Sequence, residues 1–290
     1  MDEEPLESPD YSPEQLAELR AAARSGSAEA QYELACYYDH TPPTRKRLAL
    51  NWYSKAARQG HRLAQNDLGE SYRDGCAVKP DLEQAVYWFR QAAEQGEPYA
   101  QLSLGQLYFY GHGVPQDQQE ALRLYRLSAR QGIPGAQFNI GLCYLDGDVV
   151  AKNPARAVQW FRKAAKAELT RARYQLGEAY YHGRGVRKDY LLASSCYLLA
   201  AIAGDKDAQL MLGIMYHNGE GCDVDFEKSA LFYRLAAMQG EPAAQYYLGC
   251  QYCLGEGVRR NFRVGLIWIR KAAQNGCERA QQTLSRGTRD

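Results

Sequence analysis

The sequence predicts an all-α chain of 36-residue helix-turn-helix repeats stacked as an α/α solenoid, and three observations carry the repeat and its two helices. First, one tract recurs: AQYELACYY at Ala30, AQNDLGESY at Ala64, AQLSLGQLY at Ala100, AQFNIGLCY at Ala136, ARYQLGEAY at Ala172, AQLMLGIMY at Ala208 and AQYYLGCQY at Ala244, closed by a truncated AQQTL at Ala280. The first step is 34 residues and every later one 36, which sets seven units at 30–63, 64–99, 100–135, 136–171, 172–207, 208–243 and 244–279. Second, small and apolar residues within the tract recur at helical spacing, as at Ala136, Ile140 and Tyr144. Third, glycines recur in the same phases of most units at the places where helices stop.

The elements follow in order. Residues 1–11 read as a flexible acidic tail. Ser12-Pro13-Glu14-Gln15 combines a capping serine, a first-turn proline and a glutamine at the third helical position, so residues 12–29 form a capping helix that covers the first repeat. Counting each unit from its alanine, helix A runs to a turn with glycines at positions 12 and 14, as in Gly111-His112-Gly113. An Asp or Asn at position 18 (Asp81, Asp117, Asn153, Asp189, Asp225, Asn261) caps helix B. Helix B carries the pattern seen in Trp88, Phe89, Ala92 and Ala93, and glycine at position 33 ends it. Residues 280–290 are a C-terminal capping half-repeat and tail. Two units depart: Thr41-Pro42-Pro43-Thr44 replaces the double-glycine turn of the first, and Glu168 replaces the closing glycine of the fourth. A glycine at position 6 costs helix A about 1 kcal/mol against alanine. The compensation expected is a close approach of the two backbones of the pair.

The AQxxLGxxYxxGxGVxxD…A..W(F/Y)RxAAxQG unit resembles the Sel1-like repeat family over residues 30–284. The resemblance implies a right-handed α/α superhelical solenoid related to tetratricopeptide arrays, and a protein-binding adaptor rather than a catalyst.

Composition narrows the classes. The 290 residues are 46% hydrophobic and 24% charged, with 35 basic against 34 acidic side chains, which argues against a polyanion partner, although a local basic patch can hide inside a neutral total. No nucleic-acid partner and no membrane insertion are expected, since no run of eighteen apolar residues occurs. The acidic N-terminus lacks an apolar stretch, so the expected location is cytoplasmic, as a monomer. Tyrosine is abundant, 22 against seven Phe, and half of it is periodic: position 9 (Tyr38, Tyr72, Tyr108, Tyr144, Tyr180, Tyr216, Tyr252) and position 26 (Tyr53, Tyr125, Tyr197, Tyr233).

Positions 3, 7 and 10 of helix A lie roughly opposite the core-facing positions 1, 5 and 8, on the side expected to line the concave surface. In the second repeat they are polar (Asn66, Glu70, Arg73). In repeats three to six they include Leu102, Phe109, Phe138, Leu142, Leu145, Tyr174, Tyr181, Leu210, Ile214 and His217. This stripe reads in two ways: as a groove that takes a peptide, helix or domain of a protein partner, or as packing between neighbouring A helices. On the first reading the chain is a non-enzymatic scaffold or adaptor, with scaffold, secretion chaperone and toxin-neutralising inhibitor not distinguished.

Little else points to chemistry, and no catalytic residue, metal or cofactor is assigned. The recurring GxGV lies between two helices, whereas a phosphate loop follows a strand. Cys250 and Cys253 are the one redox- or metal-like pair, giving the alternative of a thiol- or metal-dependent assembly factor; buried thiols are the plainer reading. The recurrent arginine at position 27 (Arg90, Arg126, Arg162, Arg234, Arg270) packs its stem at the core edge or meets an acidic partner.

Overall fold

The computed structural model describes residues 11–42 and 45–286, which hold sixteen helices and no strand. The chain divides after Ala151 into two compact units. The first contains α1 (Pro13–Arg24), α2 (Ala28–His40), α3 (Lys46–Arg58), α4 (Arg62–Asp74), α5 (Leu82–Glu94), α6 (Pro98–Tyr110), α7 (Gln118–Arg130) and α8 (Pro134–Asp146). The second contains α9 (Pro154–Lys166), α10 (Thr170–His182), α11 (Tyr190–Ile202), α12 (Lys206–Asn218), α13 (Phe226–Met238), α14 (Pro242–Leu254), α15 (Phe262–Gln274) and α16 (Glu278–Arg286). Even-numbered helices from α2 to α14 are A helices and begin two residues before the repeat alanine. At thirteen residues, helices such as α4 and α5 are marginal alone in water, so packing stabilises them.

Most helices start and stop for a local reason; α3 and α10, which follow Arg45 and Leu169, have no side-chain cap. At α1, Gln15 N–H donates to Ser12 Oγ at 3.2 Å and Ser12 N–H donates to Gln15 Oε1 at 2.8 Å, a complete capping box. Tyr11 is half-buried with its ring 6.0 Å from Tyr37, so this end of the expected tail is packed; residues 1–10 lie outside the described part. Asp81, Asp117, Asn153, Asp189, Asp225 and Asn261 each accept the backbone N–H three residues on, at 2.9–3.1 Å. In the first repeat Thr41 ends α2 in an extended conformation, while Pro43 and Thr44 lie outside the described residues.

The two turn glycines do different work. The first, such as Gly111 at φ 70°, ends helix A in the left-handed conformation. The second sits on the start of the preceding B helix: a Cβ on Gly113 would lie 2.6 Å from the Leu82 carbonyl, and one on Gly221 would lie 2.8 Å from that of Tyr190. Backbones of successive repeats therefore meet here.

The position-6 glycines, expected to let the two backbones of a pair approach, chiefly make room for a ring. A Cβ on Gly69 would lie 2.8 Å from the Phe89 ring, on Gly105 2.7 Å from the Tyr125 ring and on Gly177 2.5 Å from the Tyr197 ring. The missing side chain makes room for the position-26 aromatic of the same repeat. Backbone is also close at Gly105, whose Cβ would lie 3.3 Å from the Ala121 carbonyl, and in the last repeat, where Ile269 replaces the aromatic, at Gly249, 2.9 Å from the Gly265 carbonyl.

Two polar devices tie repeats together. The buried glutamines Gln31, Gln65, Gln101, Gln209 and Gln245 each donate from Nε2 to the carbonyl eight residues earlier, at the end of the preceding helix, at 3.0–3.3 Å. Their Oε1 atoms accept from an amide near the end of the next B helix, as Gln95 to Gln65 at 2.7 Å and Gln239 to Gln209 at 2.8 Å. One side chain thus satisfies a helix end and clasps three consecutive helices. At position 27, Arg90 donates to the Tyr108 hydroxyl at 2.8 Å, Arg162 to Tyr180 at 2.8 Å and Arg234 to Tyr252 at 3.0 Å. The arginine ladder is therefore a link from each of these B helices to the position-9 tyrosine of the next A helix.

Glu168 takes φ 63° where other repeats have glycine. A left-handed side-chain residue costs about 1–2 kcal/mol, and its exposed pair with Arg173 at 3.2 Å offsets little of it. Glu168→Gly is expected to stabilise the second unit by about 0.5–1 kcal/mol after the entropy glycine adds to the unfolded chain. A higher urea midpoint at constant slope is the readout; an unchanged or lower midpoint contradicts the assignment.

Candidate partner-binding face

Helix A is an inner element, and its burial is set by neighbours on several sides. In the second unit α12 packs against α11, α13 and α14. In α6, Ala100, Gln101, Ser103, Leu104, Gly105 and Leu107 are all buried, far more of the circumference than one stripe. All ten stripe residues read from the sequence are half-buried, and none is exposed.

In the first unit, Leu102 lies 3.0 Å from where a Cβ on Gly135 would stand, so it packs on the start of α8. Phe109 packs its ring 6.5 Å from Tyr125 and 5.1 Å from Tyr110. Phe138, Leu142 and Leu145 are half-buried along α8. The polar second repeat departs from expectation: Asn66 is buried, donating to Asp67 at 3.1 Å, and its Oδ1 has no partner among the described residues.

In the second unit, Tyr174 lies 5.8 Å from the Tyr197 ring, and Tyr181 lies 5.2 Å from Tyr190 while donating to Glu220 at 2.7 Å. Burial first, and then the facing carboxylates, push both phenols up, so both remain hydrogen-bond donors. Leu210 and Ile214 pack against a core made of Tyr233 and Ala236 of their own repeat and Ala244 and Leu248 of the next. His217 has its ring 5.2 Å from Phe226 and a buried Nδ1 with no partner among the described residues. Positions 3 and 7 thus contribute to packing between repeats and keep part of their surface open.

The sequence missed two features of this face. Position 11, one residue beyond the stripe, is the exposed one: Tyr110 is 63% and Leu254 64% exposed. A cavity of about 550 Å³ in the first two repeats is lined by Tyr32, Cys36, Asp39, Asp67, Glu70 and Asp74, among others. Burial pushes the Asp67 carboxyl up to about 7, opposed by a hydrogen bond from Asn66 and reinforced by the charge of Glu70. Four carboxyl groups scattered over two repeats give no sequence motif; only packing gathers them.

The thiols are quiet. All eight cysteines are free, and burial pushes Cys250 and Cys253 up, favouring the protonated and less reactive form. Among the described residues no group of three or more His, Cys, Asp or Glu side chains is placed to hold a metal ion. No helix there is long and apolar enough to cross a membrane.

The Sel1 repeat model matches residues 28–61, 62–97, 98–133, 134–169, 170–205, 206–241 and 242–277. A protective antigen present in uropathogenic Escherichia coli strains and displaying an SLR fold is 35% identical over 93% of this chain, with a TM-score of 0.85; the chain spans 58% of that protein's length. A Sel1 repeat protein from Oxalobacter formigenes is 32% identical over 94% of this chain and 80% of its own, with a TM-score of 0.77. No protein of curated function matches. The tiling of the repeat model across nearly the whole helical region, together with these two structures, shows that the chain belongs to the Sel1 repeat family.

Proposed function

We propose that this protein is a non-catalytic scaffold that holds a partner protein on the A-helix side of its repeats. The observation that carries the reading is the half-open row of apolar and aromatic side chains at positions 3, 7 and 10, where a helix meeting only water would carry polar ones. Each unit offers its own section. Phe109 and Leu145 in the first unit, and Tyr181 and Leu210 in the second, present rigid or branched apolar surface held by neighbours, the type of group that anchors interfaces. Their partial burial lowers the ordering cost of binding, because the rotamers are already restricted.

Phe109→Ala and Tyr181→Ala, made singly and together, test the reading. The natural partner, co-purified from the source cells, is expected to be captured at least tenfold less by the double variant, in line with losses of more than about 1 kcal/mol per anchor. Unchanged capture with an unchanged circular-dichroism melt would remove the A-helix side as the docking face.

A further inference from the structure

The B helices of the second unit carry a face that neither the repeat architecture nor partner capture on helix A uses. α11, YLLASSCYLLAAI, has no charged residue, and apart from the exposed Ser195 its outward side chains are aliphatic: Leu191 is 66%, Leu199 50% and Ile202 76% exposed. The neighbouring α13 adds Leu231 at 51% and Met238 at 70%. The two helices are adjacent because α12 packs against both and because the turn at Gly221, which leads into α13, rests on Tyr190 at the start of α11. The helices on either side are basic. α9 contains four cations (Arg156, Arg162, Lys163, Lys166) and no acid. α15 contains three (Arg263, Arg270, Lys271) and again no acid. In α13 the only acid is Glu227, against Lys228 and Arg234. Arg162 and Arg234 are held by Tyr180 and Tyr252 and Lys228 pairs with Asp225, so the exposed cations that flank the aliphatic centre include Lys163, Lys166, Arg263 and Lys271, a local excess in a chain whose net charge is +1.

We propose that this face binds the surface of an anionic lipid bilayer peripherally. The charge is complementary, since each lysine or arginine near an anionic headgroup layer contributes favourably within a Debye length. The aliphatic chains select lipid over other polyanions. Leu, Ile and Met offer no flat ring on which bases stack, whereas they partition into the headgroup–acyl boundary. Their manner of exposure also selects lipid over a protein helix. Ile202 and Met238 stand out from the ends of their helices, and separate projecting chains enter a fluid interface one by one. The binding is reversible and spans nothing, in keeping with helices too short to cross a membrane.

Sedimentation with phosphatidylcholine vesicles containing about 30% phosphatidylserine, at about 0.1 M salt, tests the proposal against pure phosphatidylcholine. The full chain is expected to sediment with the anionic vesicles and not with the neutral ones. Ile202→Ser with Met238→Ser is expected to weaken partitioning about tenfold, and Lys163→Glu with Lys271→Glu by at least as much. All four positions are exposed, so thermal melts of the variants should match the parent. No sedimentation of the parent, equal binding to neutral vesicles, or retention of binding by the serine variant would each overturn the proposal; the last, with displacement by duplex DNA, would mark a general polyanion surface instead.

Discussion

Gly213→Val is expected to destabilise the second unit by about 3 kcal/mol, although valine has the higher helix propensity. A Cβ at Gly213 would overlap the Tyr233 ring, with Cε1 at 2.6 Å, and that ring is 2% exposed and packed among Ala236, Ala237, Ala244 and Leu248. Neither the ring nor helix α12 can shift without opening a void, since interiors are close-packed. The interaction is separable from a general loss of structure. Tyr233→Ala alone should cost about 3–5 kcal/mol, while the double variant should cost less than the sum by at least about 1 kcal/mol, because valine fills space the ring has left. Gly240→Ala, at a helix end where no atom lies within 4 Å of the new Cβ, should lose only about 1 kcal/mol of backbone strain. Urea unfolding of the four proteins checks the order; additive losses, or a Gly213 variant as stable as the parent, would show that the ring moves aside.

Asp67→Asn is expected to stabilise the first unit at high pH and to flatten its pH dependence. The carboxyl titrates near 7 in the folded protein because burial disfavours its charge, against about 4 in the unfolded chain. Between those values the folded state holds a proton that the unfolded state has released, so this group's contribution is fully present below about pH 4 and is lost as pH rises through about 7. At pH 8 the parent bears the cost of a buried charge that asparagine avoids, and the variant should be more stable by about 2–4 kcal/mol, converging with the parent near pH 4. Unfolding followed by tryptophan fluorescence at pH 4, 6 and 8 reads this directly, since Trp52 and Trp88 pack against the core of these repeats. Parallel pH profiles would show that the carboxyl is charged without penalty.

The stripe of ten residues shows where local reasoning stops. The geometry of one amphipathic helix puts phases 3, 7 and 10 opposite its core side but does not decide between an open groove and packing on a neighbouring A helix. Helix A has neighbours on several sides, so Leu210 and Ile214 serve a core shared by their own repeat and the next, and the exposed phase is 11, at Tyr110 and Leu254. The position-27 arginines were readable as a recurring element, yet their partners are hydroxyls eighteen residues away, as in Arg90 to Tyr108. The same holds for the glutamine of each AQ pair: its period was visible, whereas its role as a clasp depends on three helix ends converging on one amide, as at Gln209.

Repeat length, helix pairing, caps and breaks were settled by the sequence alone, because each depends on residues within a few positions: Asp225 on Lys228, Gly111 on the turn it ends. The tyrosine excess was likewise legible as a periodic packing element. What position 6 accommodates, which phase of helix A meets solvent, the gathering of carboxyls around Asp67, and the cationic frame around α11 were decided only by tertiary structure. The physical reason is common to them: burial and electrostatic environment are sums over neighbours distant in sequence, and a 36-residue period places those neighbours outside any local window.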